Sequence, residues 1–337
     1  MEQRFGPGLL RLVLAAMVVF SHFTPIETGR VAVIGFFVLS GYWVTVTYVR
    51  NYAGSAKGVL LFYGARFFRI YPFYLIMLLL TLLVFRLTGD QRPVGATDFL
   101  LFGLARVPAL QPVLRPAWSL DIELQFYLLL PLLVAMARGA GKDRRILVVG
   151  AAVAVTAAWW LWGEPRFGLN LLAYVAAFVI GMIAAIKPIH VPGRSAWVSA
   201  ALFIAAGLLM AAIPALRGLL LKNSPNPIDR DIVAMLWGAL LVPFILWNVR
   251  VKSIGRDRVY GELAFSLYLA HWMFAKRYPQ IFPFLGHHAA MAAALVSIAI
   301  ASYLAYALID RPLEKVRKRL FDPGAHRARQ AEDLTVP

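Results

Sequence analysis

Residues 71–88 read YPFYLIMLLLTLLVFRLT, an apolar run whose single charged residue, Arg86, lies near its end. A helix needs about 20 predominantly apolar residues to cross the hydrocarbon core of a bilayer. Similar runs recur along the whole chain. The sequence therefore predicts an all-α, polytopic transmembrane helical bundle of about ten spans, at residues 9–25, 31–49, 71–88, 118–137, 146–162, 168–186, 196–216, 232–249, 260–275 and 289–309.

Composition supports a membrane protein and excludes several other classes. Of the 337 residues, 61% are hydrophobic and 15% are charged, whereas a soluble domain carries roughly 25% charged residues. The mean hydropathy is +0.70. Cysteine is absent, which excludes disulfides and cysteine-based metal or redox sites. The net charge of +17 is also found in nucleic-acid-binding proteins. Here the cations lie in short segments between apolar runs, so we expect a lipid bilayer as partner and no nucleic acid.

Basic residues in the loops predict the orientation of the chain. With a cytoplasmic N-terminus, roughly two thirds of the 34 Lys and Arg residues fall on the cytoplasmic side, as the positive-inside rule requires. We therefore expect a multi-pass protein of the bacterial inner membrane with both termini in the cytoplasm. Run 9–25 lacks a small-residue cleavage site, so we expect it to be retained as the first span.

The same topology predicts the domain organisation. No stretch between the spans is long enough for a separate soluble domain. We expect one transmembrane domain over residues 1–315 and a basic, disordered cytoplasmic tail over residues 316–337. Loop 89–117 is long and faces outward, so we expect it to contact an extracytoplasmic substrate.

Three titratable residues within the predicted spans are candidate catalytic residues: His22, Glu123 and His271. Ionisable groups at membrane depth are costly and are usually functional. The predicted topology places all three toward the outer face. A histidine can take a proton from an attacking hydroxyl, and Glu123 would orient His22 or stabilise its charged form. The alternatives are histidines that lie at the interface and a glutamate that bonds neighbouring helices together.

Three arginines near the cytoplasmic ends of spans, Arg11, Arg66 and Arg69, are candidate ligand-binding residues. Guanidinium groups bind phosphates well because they are always charged and carry a fork of donors. Arg11 and His22 share a helix face about 16 Å apart along the axis. A phosphate-rich ligand bound at the arginines would therefore extend toward His22. The alternative is that each arginine is only an orientation signal or a snorkelling anchor. No metal is expected.

These residues also carry a resemblance to a known family. The chain resembles the acyltransferase-3 family of membrane acyltransferases, which includes O-acetyltransferases of bacterial surface polysaccharides. The matching segments occur in the family's order: Arg11 with His22, Phe36-Phe37-Val38-Leu39-Ser40-Gly41, Arg66-Phe67-Phe68-Arg69, Trp118-Ser119-Leu120 with Glu123, Phe126 and Tyr127, Tyr268-Leu269-Ala270-His271, and Asp310-Arg311-Pro312-Leu313-Glu314. One departure lies in the first span, where Gly8-Leu9-Leu10-Arg11-Leu12 lacks the acid and the glycine that often flank the arginine.

The resemblance implies a function and assigns roles. It implies acyl-CoA, most often acetyl-CoA, as cytoplasmic donor and a sugar hydroxyl as acceptor, and therefore O-acetylation in polysaccharide biosynthesis beside polysaccharide-assembly proteins. By position it implies that His22 is catalytic, with Glu123 and His271 as further catalytic residues. Arg11, Arg66 and Arg69 are then the donor-binding residues.

Several alternatives stay open at the level of sequence. His22 can act as general base in a direct transfer, or it can be acylated on nitrogen and pass the group on. The acceptor can be a small molecule, a lipid or peptidoglycan instead of a polysaccharide. Transporters and flippases also use histidine and glutamate within spans, although no inverted repeat is evident. A non-catalytic membrane partner of a biosynthetic complex is the remaining class.

Overall fold

The computed structural model describes residues 5–101, 112–138, 141–163, 168–187, 189–222 and 227–321. Within these ranges the chain is helical, and its β-type pairing is one bridge between Ile26 and Leu221. The predicted all-α fold is confirmed. In chain order the helices are α1 (Pro7–Phe23), α2 (Thr28–Asn51), α3 (Ala56–Leu87), α4 (Ala96–Leu100), α5 (Trp118–Arg138), α6 (Lys142–Ala158), α7 (Val175–Ile186), α8 (Gly193–Ala212), α9 (Pro214–Leu220), α10 (Pro227–Ala239), α11 (Val242–Asn248), α12 (Asp257–Ala275), α13 (Tyr278–Ile281), α14 (His287–Ala305) and α15 (Arg311–Phe321).

Among the described residues, six helical segments are long and apolar enough to cross a membrane. They are Thr28–Asn51, Ala56–Leu87, Arg115–Arg138, Asp143–Gly163, Gly193–Ala212 and His287–Phe321. Parts of α10 and α11, bent by 45° relative to each other, make a seventh if they count as one span. The protein is thus a multi-pass membrane protein, but the predicted count of about ten spans is not confirmed.

The other three predicted spans coincide with α1, α7 and α12. Helix α1 has 17 residues and α7 has 12, so both are short for a full crossing. Helix α12 has 19 residues but opens with charged side chains. All three contribute many residues to the buried core, because α1 packs against α12 and α2, and α7 packs against α2. Much of the surface of these helices faces other helices, so they depend less on the length of a fully lipid-facing span.

Helix α2 is the centre of the bundle. Its most apolar window is 67% buried, compared with 17% for α8 and 22% for the segment that contains α6. Two glycines allow α2 and α7 to touch along their backbones. A Cβ on Gly41 would lie 2.2 Å from the Phe178 carbonyl oxygen, and one on Gly181 would lie 2.1 Å from the Val38 carbonyl oxygen. Small residues that permit close approach are typical of helix packing in membranes.

Helix α3 carries two of the candidate arginines. It has 32 residues, a length of about 48 Å, which exceeds the roughly 30 Å of the hydrocarbon core. It begins at Ala56, well before the predicted span 71–88, and continues through Pro72. Arg66 and Arg69 therefore lie on a helix and face the same side of it.

The C-terminal part of the described chain is also helical. Helix α15 runs to Phe321, so the predicted domain boundary at residue 315 falls within a helix. Residues 322–337 lie outside the described residues, and the disorder expected there stays a prediction.

Candidate active site

A cavity of about 530 Å³ between α1, α2, α3, α5 and α12 brings four of the predicted site residues together. Arg11, Arg66, Arg69 and Glu123 all contribute to its wall. Ser253, which is exposed, also lines it, so the cavity opens near the start of α12. From the charge bias of the loops we expect this side to face the cytoplasm.

Glu123 and Asp257 line the same cavity, but among the described residues two of the three arginines form no ion pair with an acid. The Arg11 guanidinium lies 5.9 Å from the Trp43 ring centre. Arg66 lies 5.7 Å from the Phe62 ring centre and 5.9 Å from that of Tyr127, and its buried Nε has no hydrogen-bond partner. Among the described residues, neither cation forms an ion pair or a hydrogen bond. A charge removed from water needs a compensating group, so the cavity is suited to an anion.

Arg69 is held differently from the other two arginines. Its Nη1 donates to the Asp310 carboxylate, which is buried. The guanidinium also lies 4.8 Å from the Phe265 ring centre. Arg69 is therefore neutralised by the protein itself, and it fixes the end of the π-helical turn at Tyr306–Asp310 against α3.

Glu123 lies in the cavity wall. Its Oε1 accepts hydrogen bonds from the Ser40 and Tyr127 hydroxyls, each at 2.5 Å. In the described part of the chain, no hydrogen bond or ion pair links Glu123 to His22. The structure thus groups Glu123 with the arginines and does not join it to His22, because two hydroxyls from α2 and α5 already surround the carboxylate.

The two candidate histidines form a pair. The His22 and His271 rings stack with centres 5.1 Å apart and planes 26° apart, and Trp272 meets His22 edge-on at 5.0 Å. His271 is fully buried, and its Nδ1 lies 3.1 Å from the Leu267 carbonyl oxygen. A carbonyl only accepts, so Nδ1 carries the proton. In the neutral ring Nε2 then has a free lone pair, and this buried atom has no partner among the described residues.

The packing of α1 against α12 brings these histidines together. Asp257, at the start of α12, accepts hydrogen bonds from the backbone N–H groups of Gly8 (3.1 Å) and Leu9 (2.8 Å). This carboxylate therefore caps the N-terminus of α1. The first-span motif lacks its own acid, and the structure supplies one from α12, beside Arg11 in the cavity wall.

Comparison with known proteins now identifies the family. A family model described as an acyltransferase domain, acyltransferase 3, matches residues 5–309. The chain belongs to the acyltransferase-3 family. The resemblance inferred from the motifs is thus confirmed, and together with the apolar helices it makes this protein a membrane acyltransferase.

Two relatives illustrate the family. The "Putative membrane-bound transacylase BcsY" of Komagataeibacter xylinus is 25% identical over 325 residues, covering 90% of this chain and 81% of the relative. "Nodulation protein 10" of Rhizobium leguminosarum bv. viciae is 24% identical over 364 residues, covering 93% and 94%. No solved structure matches the chain.

One layer of side chains separates the cavity of this acyltransferase from the histidine pair. Tyr268 and Phe36 line the cavity, and their rings lie 5.9 Å apart. The Tyr268 ring lies 6.3 Å from that of His271 on its other side. Its hydroxyl contacts the Ser119 hydroxyl at 2.7 Å and donates to the Pro116 carbonyl oxygen at 3.0 Å. Tyr268 thus contacts both the cavity and the histidine pair.

Sequence reasoning missed several residues of the site. Tyr268 and Ser40 lie inside the quoted motifs but were not chosen as site residues. The motifs themselves therefore contained the signal. Asp310 also opens a quoted segment, but its contact with Arg69 spans 241 positions. Asp257 contacts Leu9 across 248 positions and lies in none of the quoted motifs. Within the described ranges, no three His, Cys, Asp or Glu side chains come together as a metal site.

Proposed function

We propose that this protein is a membrane O-acyltransferase that moves an acetyl group from cytoplasmic acetyl-CoA to a hydroxyl of a cell-envelope or exported polysaccharide. One observation carries the proposal. Arg11, Arg66, Arg69 and Glu123 line one cavity. Tyr268 in its wall contacts His271 of the stacked histidine pair. Donor binding and acyl transfer would thus occupy adjoining sites.

The donor end is suited to coenzyme A. Its phosphates would meet Arg11 and Arg66, which lack acidic partners in the described protein. Arg69 lines the same cavity, but Asp310 already pairs with its guanidinium. The cavity wall between the arginines is apolar and aromatic, as in most small-molecule sites. The acyl-pantetheine arm would extend along α1, over the roughly 16 Å that separate Arg11 from His22.

At the histidine end, His22 would act as the general base. It takes the proton of the acceptor hydroxyl while the oxygen attacks the thioester carbonyl carbon. The carbon–sulfur bond then breaks, and coenzyme A leaves as the thiol with a proton returned from His22. His271 would orient His22 through the stacked contact. In this scheme Glu123 fixes Ser40 and Tyr127 in the donor cavity and does not assist His22 directly. Acylation of the His22 nitrogen is the alternative route.

Substitution of His22 tests the proposal. Purified wild-type protein, His22→Ala and His288→Ala would be incubated with labelled acetyl-CoA and a polysaccharide acceptor, and ester formation would be measured. His288 is an exposed histidine outside the site and serves as the matched control. We expect loss of ester formation only in His22→Ala, by at least about 100-fold, the typical contribution of a general base. Near-normal transfer by His22→Ala would remove this residue from the mechanism.

A further inference from the structure

Three cations lie near His22. The positive charges of Lys222, Lys276 and Arg115 all act on the His22 imidazole. The Lys222 ammonium donates to the Thr24 carbonyl oxygen at 3.3 Å, two residues beyond His22. Lys276 directly follows the last residue of α12, the helix that carries His271. We call Arg115, Lys222 and Lys276 the basic rim.

The position of Arg115 in this rim is fixed by its neighbours. It opens the 3-10 turn at Arg115–Ala117. The Pro116 carbonyl oxygen in that turn accepts a hydrogen bond from the Tyr268 hydroxyl. Just before it, the Val113 carbonyl oxygen accepts from the indole N–H of Trp272 at 2.8 Å. The segment that leads to Arg115 is therefore held against the same two residues that contact the histidine pair.

Two acids at this end of the protein have other contacts. Asp90 binds both Arg92 and Arg277. The Glu27 carboxylate accepts the backbone N–H of Arg30 at 3.4 Å as the cap of α2. In the described part of the protein, Arg115 and Lys276 form no ion pair, and both are exposed. Arg115 and Lys276 thus present positive charge to solvent without an ion-pair partner in the described part of the protein.

Aromatic side chains lie beside these cations. Trp272 contacts His22 edge-on, and Phe23, the residue after His22, lies 5.6 Å from the half-buried Tyr278. Apolar and aromatic surface with a few placed charges is typical of sites that bind small organic groups. His22 itself is half-buried whereas His271 is fully buried, so His22 is the member of the pair that a molecule at the rim can reach.

We propose that the basic rim is an anion subsite for the acceptor, so that the substrate class is a glycan with a carboxylate or phosphate close to the hydroxyl that is acylated. The inference rests on the proposed function, because it takes His22 as the point of transfer. Complementary charge around a site speeds encounter and selects among partners. The rim would therefore favour an acidic sugar over a neutral one of the same shape.

Binding measurements on the full-length protein test this subsite without any transfer step. Tryptophan fluorescence would be titrated with two matched pairs of probes in neutral detergent at low salt. One pair is tetragalacturonate and its methyl ester, and the other is maltotetraose 1-phosphate and maltotetraose. The pairs distinguish a carboxylate from a phosphate. The variants are the double substitution Arg115→Gln with Lys276→Gln, and Arg217→Gln as control. Arg217 is an exposed arginine whose charge is absent from those that act on His22.

We expect the wild type and Arg217→Gln to bind at least one anionic probe about tenfold or more tightly than its neutral match. The double variant should lose that difference and bind neutral probes as before. Lys222 is kept because its contact with Thr24 holds the backbone near His22. Equal affinity for charged and neutral probes in the wild type would overturn the proposal, and so would a preference that survives in the double variant.

A transfer assay with the same probes separates failure of the subsite from failure of the proposed function. Acylation of both members of each pair at equal rates would overturn the basic rim alone and leave the acyltransferase function standing. A clear preference in binding, without His22-dependent transfer to any hydroxyl, would contradict the proposed function and with it the assignment of the rim to an acceptor.

Discussion

Arg66→Met is expected to weaken acetyl-CoA binding strongly while it leaves the unliganded protein about as stable as the wild type. The reason lies in how Arg66 is held. It contacts the rings of Phe62 and Tyr127, its Nε is buried without a hydrogen-bond partner, and no described acid pairs with it. A cation in that state costs the unliganded protein free energy and becomes favourable only when an anion arrives.

The magnitudes follow from these contacts. A hydrogen bond between a guanidinium and a phosphate contributes about 1.5–3 kcal/mol, so its loss should raise the Kd for acetyl-CoA about 10- to 150-fold. For stability, two cation–π contacts of about 0.5–1 kcal/mol each are lost. Replacing a partly buried charge by an apolar side chain of similar size removes a desolvation cost. This restores free energy of unfolding of the same order as the lost contacts. The free energy of unfolding should therefore fall by no more than about 1 kcal/mol.

Isothermal titration with acetyl-CoA and thermal unfolding in detergent would measure the two effects on the same samples. Arg69→Met is the matched comparison, since it also removes one guanidinium from the cavity wall but leaves the Asp310 carboxylate without its partner. We expect Arg69→Met to be clearly less stable than Arg66→Met. Unchanged acetyl-CoA affinity in Arg66→Met would refute the reasoning, and so would a loss of stability as large as that of Arg69→Met.

Three further outcomes follow from the structure. Arg69→Gln should lower the free energy of unfolding by about 2–4 kcal/mol because it leaves the buried Asp310 unpaired, and adding Asp310→Asn should recover part of this in the same thermal-unfolding assay. Gly41→Val should prevent recovery of folded protein in size-exclusion chromatography, since its Cβ would meet a carbonyl oxygen of α7 at 2.2 Å. Gly150→Val should not, because nothing lies within 4 Å of that site; equal recovery of both valine variants would contradict this. Tyr268→Phe should cost about 1 kcal/mol of stability and raise acceptor-independent hydrolysis of acetyl-CoA, and no change in either would show that Tyr268 is no barrier.

The sequence predicted the helical membrane fold and the presence of Arg11 and His22 on one helix. Apolar runs indicate helices in a bilayer because every backbone polar group must be satisfied within the protein. The rise of 1.5 Å per residue then places Arg11 and His22 along α1. The predicted count of about ten spans was not confirmed, because α1 and α7 have only 17 and 12 residues and are short for a full crossing.

Contacts between side chains on different helices could not be predicted from the sequence pattern. Glu123 was expected beside His22 because both lie in the outer halves of their predicted spans. Its partners instead depend on how α2 and α5 rotate against each other, and Ser40 lies 83 residues away in the chain. The stacking of His22 on His271 depends likewise on the α1–α12 contact that Asp257 fixes. Spacing within one helix contains no information on either arrangement.

Mass spectrometry of surface glycans tests the central claim most directly. Glycans would be compared from cells that carry the wild-type gene, no gene, or the gene with His22→Ala. The wild-type and His22→Ala cells must contain equal amounts of membrane-inserted protein. The account predicts an ester-linked acetyl group that appears only with the wild-type gene. Identical glycans in all three cells, or the same ester with His22→Ala as with the wild type, would contradict it.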